Sequence, residues 1–233
     1  MSAVPALVTL DVWRVPGRAV PGAVAHIALD RRPVRRAPGA TFAKLLGTGR
    51  GETFGVRDAE PHRWALLACW SDAGAAEAFS RSPVARAWHE RCEEHLRVDL
   101  RPVSSRGRWS GREPFGQPAP APVDGPVAVL TRARLRAARA ATFYRAVPPV
   151  AAALHQSVGL RVAIGIGEAP VGLQGTFSLW DDEAAVRRFA YERPEHRTVV
   201  EQTASVGWYA EELFARFAVV RARGRIDGQD LST

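Results

Sequence analysis

Six histidines, His26, His62, His89, His95, His155 and His196, are the first residues to weigh for chemistry. No pair of them has the spacing of a zinc motif, and no histidine, nucleophile and acid form a triad pattern. Triad hydrolysis and metalloprotease chemistry are therefore not expected. A single imidazole can still act. His196 lies one turn before Val199 and Val200 on a helix opened by Pro194, which sets its ring at the edge of an apolar face. Two readings stay open at this point: a hydrogen-bonded core residue, or the one protein donor that an axially ligated haem iron needs. His89, beside Trp88 on the helix opened by Pro83, is the second histidine to weigh as a ligand.

The segment 173–180 (LQGTFSLW) alternates, so it reads as a strand with two unlike faces. Leu173, Gly175, Phe177 and Leu179 form a core face, expected to point toward helices. Gln174, Thr176, Ser178 and Trp180 form a polar face with an aromatic end, which is either solvent surface or the lining of a cavity between sheets. Gln174, Ser178 and Arg50 are candidate hydrogen-bond donors opposite His196, and Arg187, Arg188, Arg193 and Arg197 either neutralise acidic ligand groups or form a solvated face. Arg50 belongs to the cluster 47–51 (GTGRG), which lacks the spacing of a phosphate loop. The cluster reads as a helix stop and tight turn, or as an anion-holding nest of backbone amides.

The elements that must position these residues follow from periodicity. Strands are expected at 7–15, 53–57, 63–70, 96–103, 127–131, 159–168, 173–180 and 212–221. Helices are expected at 24–32, 40–46, 73–79, from Pro83, within 132–157 with an interruption or kink at Pro148 and Pro149, at 184–191 and from Pro194. The glycine- and proline-rich stretch 104–125 reads as a connector pinned down by Trp109 and Phe115. Residues 1–103 and 126–233 then form the two halves.

The halves repeat each other. Trp70 precedes Phe79 by nine residues and Trp180 precedes Phe189 by nine, while Pro83 and Pro194 follow the respective tryptophans by thirteen and fourteen. A duplicated strand, helix, two strands, helix, strand unit accounts for this, giving an α+β fold of two tandem ferredoxin-like halves. Each unit leaves one sheet face bare, and two such faces can bury each other in a barrel-like arrangement.

Composition narrows the classes further. Across 233 residues, 46% apolar content supplies a core. No apolar run is long enough to span a membrane and no basic leader precedes one, so a cytoplasmic location is expected, with peripheral membrane contact if the substrate is a lipid. The net charge of +8 comes almost wholly from arginine, Lys44 being the one lysine. These arginines are scattered among alanines without an aromatic-interleaved patch, so no nucleic-acid partner is expected. Cys69 and Cys92 have neither metal-ligand spacing nor a disulfide pattern.

The segments KLLGTGRGETF at 44–54, RWALLACW at 63–70, GPVAVLTRARLR at 125–136, GLRVAIGIGEAP at 159–170, QGTFSLW at 174–180, FAY at 189–191 with His196, and GWYAEELFARF at 207–217 resemble those of the spheroidene monooxygenase family over nearly the whole chain. The resemblance implies a haem-containing, oxygen-dependent monooxygenase acting on an apolar, carotenoid-like substrate, with electrons from a reduced ferredoxin-type partner. It implies a fold like the dimeric α+β barrel group that includes chlorite dismutase-like and aldoxime dehydratase-like haem proteins, and it is compatible with a homo-oligomer. His196, inside the matching block from FAY to GWY, is then the iron ligand, with Trp180, Thr176 and Arg197 as further haem contacts. A haem dehydratase, a peroxide-dependent enzyme and a non-catalytic haem-binding protein are the alternatives on the same scaffold.

Overall fold

Strands with apolar residues on both faces need cover on both sides, and this chain supplies it by closing its sheet and laying helices outside. The computed structural model describes residues 3–52, 58–168, 173–192 and 206–233. Its strands are β1 (Leu7–Arg14), β2 (Ala40–Gly49), β3 (Ala59–Trp70), β4 (Glu94–Gly107), β5 (Val127–Leu135), β6 (Leu160–Gly167), β7 (Leu173–Trp180), β8 (Tyr209–Ile226) and the short β9 (Gln229–Asp230). Helices α1 (Val20–Leu29), α2 (Arg31–Arg35), α3 (Ala73–Ser80) and α4 (Pro83–Arg91) belong to the first half, and α5 (Ala140–His155) and α6 (Glu183–Glu192) to the second. The sheet order is β4-β1-β3-β2-β6-β7-β5-β8, and β8 pairs back onto β4, closing an antiparallel barrel from which β9 hangs as an appendage.

The residues of one parity along each strand fill the barrel. Val8, Leu10, Val12, Leu67, Leu96, Val98, Leu130, Ile164, Phe177, Leu179, Leu213 and Phe217 form one buried cluster, capped by Trp109 and Phe115 from the connector. The opposite parity faces the helices: Trp13, Leu45, Leu66 and Trp70 pack with Ala23, Val34, Phe79 and Trp88 of α1 to α4. In the second half, Val127 and Trp180 pack with Ala185 and Val186 of α6. The expected faces of β7 are thus exchanged. Phe177 and Leu179 point into the barrel, while Gln174, Ser178 and Trp180 look outward beneath the helices. Alternation separates the two sets but carries no sign saying which set is inside.

The expected helix at 40–46 is strand β2. Phe42 and Leu46 fill the barrel while Ala43 and Leu45 meet the helices, so both faces are apolar and periodicity does not distinguish the two states. Pairing with β3 and β6 decides for the strand. Thr53 to Arg57 lies outside the described residues, and β3 begins earlier than expected, at Ala59. The helix α5 continues through Pro148 and Pro149, although neither ring nitrogen can donate to the carbonyl four residues back.

Local signals fix the helix starts. Asp72 accepts a hydrogen bond from Ala75 N at 2.8 Å, Ser82 from Ala85 N at 3.2 Å, and Asp182 from Ala185 N at 2.7 Å. The repeated tryptophan and phenylalanine pairs are in contact: Trp70 and Phe79 have ring centroids 5.2 Å apart, Trp180 and Phe189 5.6 Å. The β4–β8 closure needs Gly224, at φ +95°, because a Cβ there would stand 2.1 Å from the carbonyl oxygen of His95. Among the described residues no helix is long and apolar enough to cross a membrane.

Candidate functional site

The outer face of the sheet is filled in one half and hollow in the other. β1 and β3 place Asp11 opposite Leu66 and Trp13 opposite Trp64. The matching positions of β5 and β7 place Thr131 opposite Thr176 and Ala133 opposite Gln174. Replacing two indoles by a methyl and an amide, and leucine by threonine, removes the side chains that would fill the layer between sheet and helix. A cavity of about 1270 Å³ results, with β5, β7 and β8 as its floor and α5 and α6 as its walls.

The wall from α5 is a stripe of Phe143, Val147, Val150, Ala151 and Leu154, and α6 adds Val186, Phe189 and Ala190. These recur every three or four residues, so the apolar face of each helix is turned onto the hollow. The floor is polar: Thr131, Gln174, Thr176, Ser178 and, at its end, Trp180. Ser178 Oγ accepts from the Trp180 indole at 2.9 Å, and the Gln174 amide donates to Tyr144 Oη at 3.2 Å. Arginines stand around the opening, among them Arg106, Arg108, Arg187 and Arg216. Arg216 is held by Glu183 at 3.0 Å and by Ser104 Oγ at 3.1 Å.

Of the residues singled out in the sequence, Gln174, Thr176, Ser178 and Trp180 come together on this floor. Arg50 does not join them. It lies at the end of β2, 3.7 Å from Glu52 and 3.8 Å from Asp58, and is absent from the cavity lining. His196 and Arg197 fall outside the described residues, as does Arg193.

Two further polar groupings were not visible in the sequence. Inside the barrel, Glu168 accepts from Lys44, from the Trp109 indole at 2.6 Å and from Arg132 at 3.0 Å, and Arg132 also pairs with Glu211. Burial pushes the Glu168 carboxyl up, but hydrogen bonds from Lys44 and Trp109 and the charges of Lys44 and Arg132 outweigh it and hold the group below its ordinary value. Glu211 is likewise pushed up by burial and pulled below its ordinary value by the amides of Gly111 and Ser110 and by Arg132. This network fastens the connector over the barrel, since Trp109, Ser110 and Gly111 all belong to it. On the outer face of the first half, Asp11, His89 and His95 bring one ligand atom each within 4.8 Å of one another, a set able in principle to chelate a metal. Such sets assemble donors from β1, α4 and β4, and no short motif marks them.

Comparison with known proteins places this architecture. The chain is 34% identical over 229 residues to a spheroidene monooxygenase of Rhodobacter capsulatus, covering 95% of this chain and 93% of that protein. It belongs to the spheroidene monooxygenase family. A second spheroidene monooxygenase, from Rubrivivax gelatinosus, is 39% identical over 193 residues, covering 82% of this chain and 73% of its own. No family model matches the chain. Among solved structures, an aldoxime dehydratase in complex with butyraldoxime aligns with a TM-score of 0.60 over 91% of this chain and 79% of that one, at 14% identity. A second aldoxime dehydratase gives 0.58 at 12% identity, covering 91% and 80%. That likeness establishes the fold, an α+β arrangement around a closed β-barrel. Membership of the spheroidene monooxygenase family supports a catalytic role of the monooxygenase kind.

Proposed function

We propose that the protein is a haem-dependent monooxygenase that inserts oxygen into an apolar, carotenoid-like substrate, with the cavity beneath α5 and α6 as its active site. The observation that carries the proposal is the cavity's lining: apolar helix walls, a polar strand floor and an arginine-bearing rim. At about 1270 Å³ it exceeds the roughly 300–1,000 Å³ of ordinary small-molecule sites, leaving room for a flat macrocycle and a segment of a long substrate. A tetrapyrrole needs apolar faces for its ring and cations for its two carboxylate arms, and these residues fit both needs.

Haem, when bound, would supply oxygen activation, drawing electrons from a reduced ferredoxin-type donor. The chain's own parts divide the remaining work. His196, which follows α6 in sequence, is the residue we assign to the iron, and Arg187, Arg197 and Arg216 are assigned to the carboxylate arms. Phe143, Val147, Val150 and Leu154 bind the apolar substrate and exclude water. Gln174 and Ser178 offer the hydrogen-bond donors on the floor, where the Ser178 hydroxyl is oriented by accepting from Trp180. Thr176 and Trp180 are contacts for the cofactor's plane. The same reading takes the two halves as ferredoxin-like repeats, of which the second has exchanged bulk for a cofactor site.

The test is the absorption spectrum and iron content of the purified protein, as isolated and after haem addition, with turnover of a polyene under oxygen and reduced ferredoxin. One haem per chain, loss of the imidazole signature in His196→Ala and loss of turnover in the same variant are expected. Turnover with peroxide but not with oxygen and ferredoxin would reassign the enzyme as peroxide-dependent, and stoichiometric haem without oxygenation would reassign it as a dehydratase or a binding protein. Full activity of haem-free protein would overturn the cofactor.

A further inference from the structure

We propose that Asp11, His89 and His95 form a binding site for one divalent transition-metal ion of the zinc class, separate from the cavity. Three elements converge there. Asp11 projects outward from β1, His95 from the start of β4, and His89 from the last turn of α4. None of the three lines the cavity under α5 and α6. The inference is therefore independent of the function proposed above.

The spacing of the three donors suits one small metal ion. The carboxylate Oδ1 of Asp11 and Nε2 of His95 are 2.9 Å apart, and a ring nitrogen of His89 lies within 4.8 Å of both. Donors around a tetrahedral zinc ion, each about 2.0–2.1 Å from the metal, sit roughly 3.3 Å from one another. The Asp11–His95 pair is slightly closer than that and His89 lies within 4.8 Å of both, so adjustments of the side chains bring the three donors around one ion. Moreover, Nε2 of His89 is buried and has no hydrogen-bond partner. A buried nitrogen left unpaired is costly, and a metal bond would satisfy it.

The rings are already oriented. His95 stacks on Trp13 with centroids 5.8 Å apart and planes 11° from parallel, and Trp13 stacks in turn on Trp88 at 5.1 Å. Trp88 is anchored by its indole to Asp30 at 3.0 Å. His89 meets His95 edge-on at 4.4 Å. Arg97, the register partner of Asp11 on β4, donates to Asp99 at 2.8 Å.

Two imidazoles and one carboxylate form a mixed nitrogen and oxygen set, which suits zinc and its neighbours and not calcium or magnesium, whose sites are built from oxygens. Three protein donors leave a fourth position for water. The same set also suits ferrous iron in oxygenases, but none of its residues lines the cavity under α5 and α6. Its role is to staple α4 to β1 and β4.

The experiment uses tag-free, chelator-stripped full-length protein titrated with zinc against a chromophoric chelator, with cobalt(II) as the spectroscopic probe. One zinc per chain should bind tighter than about 10 µM, with a four-coordinate cobalt spectrum and a rise in melting temperature. His89→Gln and His95→Gln should each weaken binding at least about tenfold and abolish the melting shift, while His196→Ala leaves both intact. These two variants carry the test even if Asp11→Asn fails to fold. Wild-type affinity no better than that of His89→Gln, or no melting response, would show that the cluster is only a hydrogen-bonded aromatic packing motif and overturn the proposal. Preferential ferrous binding with oxygen consumption would overturn the structural assignment. Haem uptake in His89→Gln should equal that of the parent; its loss would tie the cluster to the cavity and overturn the claim of a separate site.

Discussion

Ala133 stands opposite Gln174 on the outer face of the barrel, where the matching register position of the other half sets Trp13 opposite Trp64. One half of that outer face is thus a packed layer and the other a hollow, although the strand order is mirrored between them.

Filling the hollow should therefore remove function and spare the fold. Ala133→Trp is expected to fold cooperatively and to lose at least about tenfold in haem affinity, because an indole displaces volume a ligand would occupy. If the space were already filled, overpacking would instead cost about 1–3 kcal/mol. A lowered melting temperature with undiminished haem binding would mean the cavity is not the site.

The two faces of β7 should respond differently. Phe177, fully buried in the barrel, should cost about 3–5 kcal/mol when changed to Ala, with the ligand site preserved in the molecules that fold. Ser178→Ala removes the acceptor of the Trp180 indole and should cost about 1 kcal/mol while shifting the spectrum of the bound cofactor. Denaturant titration paired with ligand titration on both variants checks this; comparable stability losses would refute it.

That difference also shows what a sequence can and cannot convey. Alternation along 173–180 is local, so the partition of Phe177 and Leu179 from Gln174, Ser178 and Trp180 was readable, as were the Trp70 and Phe79 and the Trp180 and Phe189 spacings. The direction of each face was not, because barrel closure depends on β4 meeting β8, a pairing between residues as distant as Leu96 and Gly224. β2 misled for a related reason: Ala43 and Leu45 are covered by helices and Phe42 and Leu46 by the barrel, and a doubly buried strand has no period. The Glu168 network and the Asp11, His89 and His95 cluster join residues from separate strands and helices, so their chemistry exists only once the sheet has closed.

Acid should loosen the connector. Glu168 and Glu211 are both held below their ordinary values in the folded chain. A depressed folded pKa means that the unfolded chain binds protons first, so the stabilisation is complete above the ordinary glutamate value, about 4.3, and is lost as pH falls through the folded values beneath it. Glu168→Gln should be less stable than the parent at pH 7 and show a shallower fall below about pH 4.3. Melting curves across that range, followed by the fluorescence of Trp109 against a Trp109→Phe control, would read it; parallel acid limbs for parent and variant would show that Glu168 contributes nothing.

At the opening of the cavity, Arg216 is braced from two sides, by Glu183 at the first turn of α6 and by Ser104 on β4. A guanidinium fixed in this way loses little further freedom when it meets an anionic group, so it is suited to hold a carboxylate arm of a bound macrocycle. Arg216→Gln keeps a polar side chain but removes the charge, and haem affinity should fall about tenfold, as loss of a charge-assisted hydrogen bond worth roughly 1.5–3 kcal/mol implies. Arg216→Lys should recover part of it and no more, because an ammonium lacks the planar fork. The dimethyl ester of haem, which has no charged arms, should bind the parent and Arg216→Gln equally. If the ester discriminates between them as strongly as free haem does, the arginine acts by bracing α6 through Glu183 and not by pairing with the ligand, and the rim assignment fails.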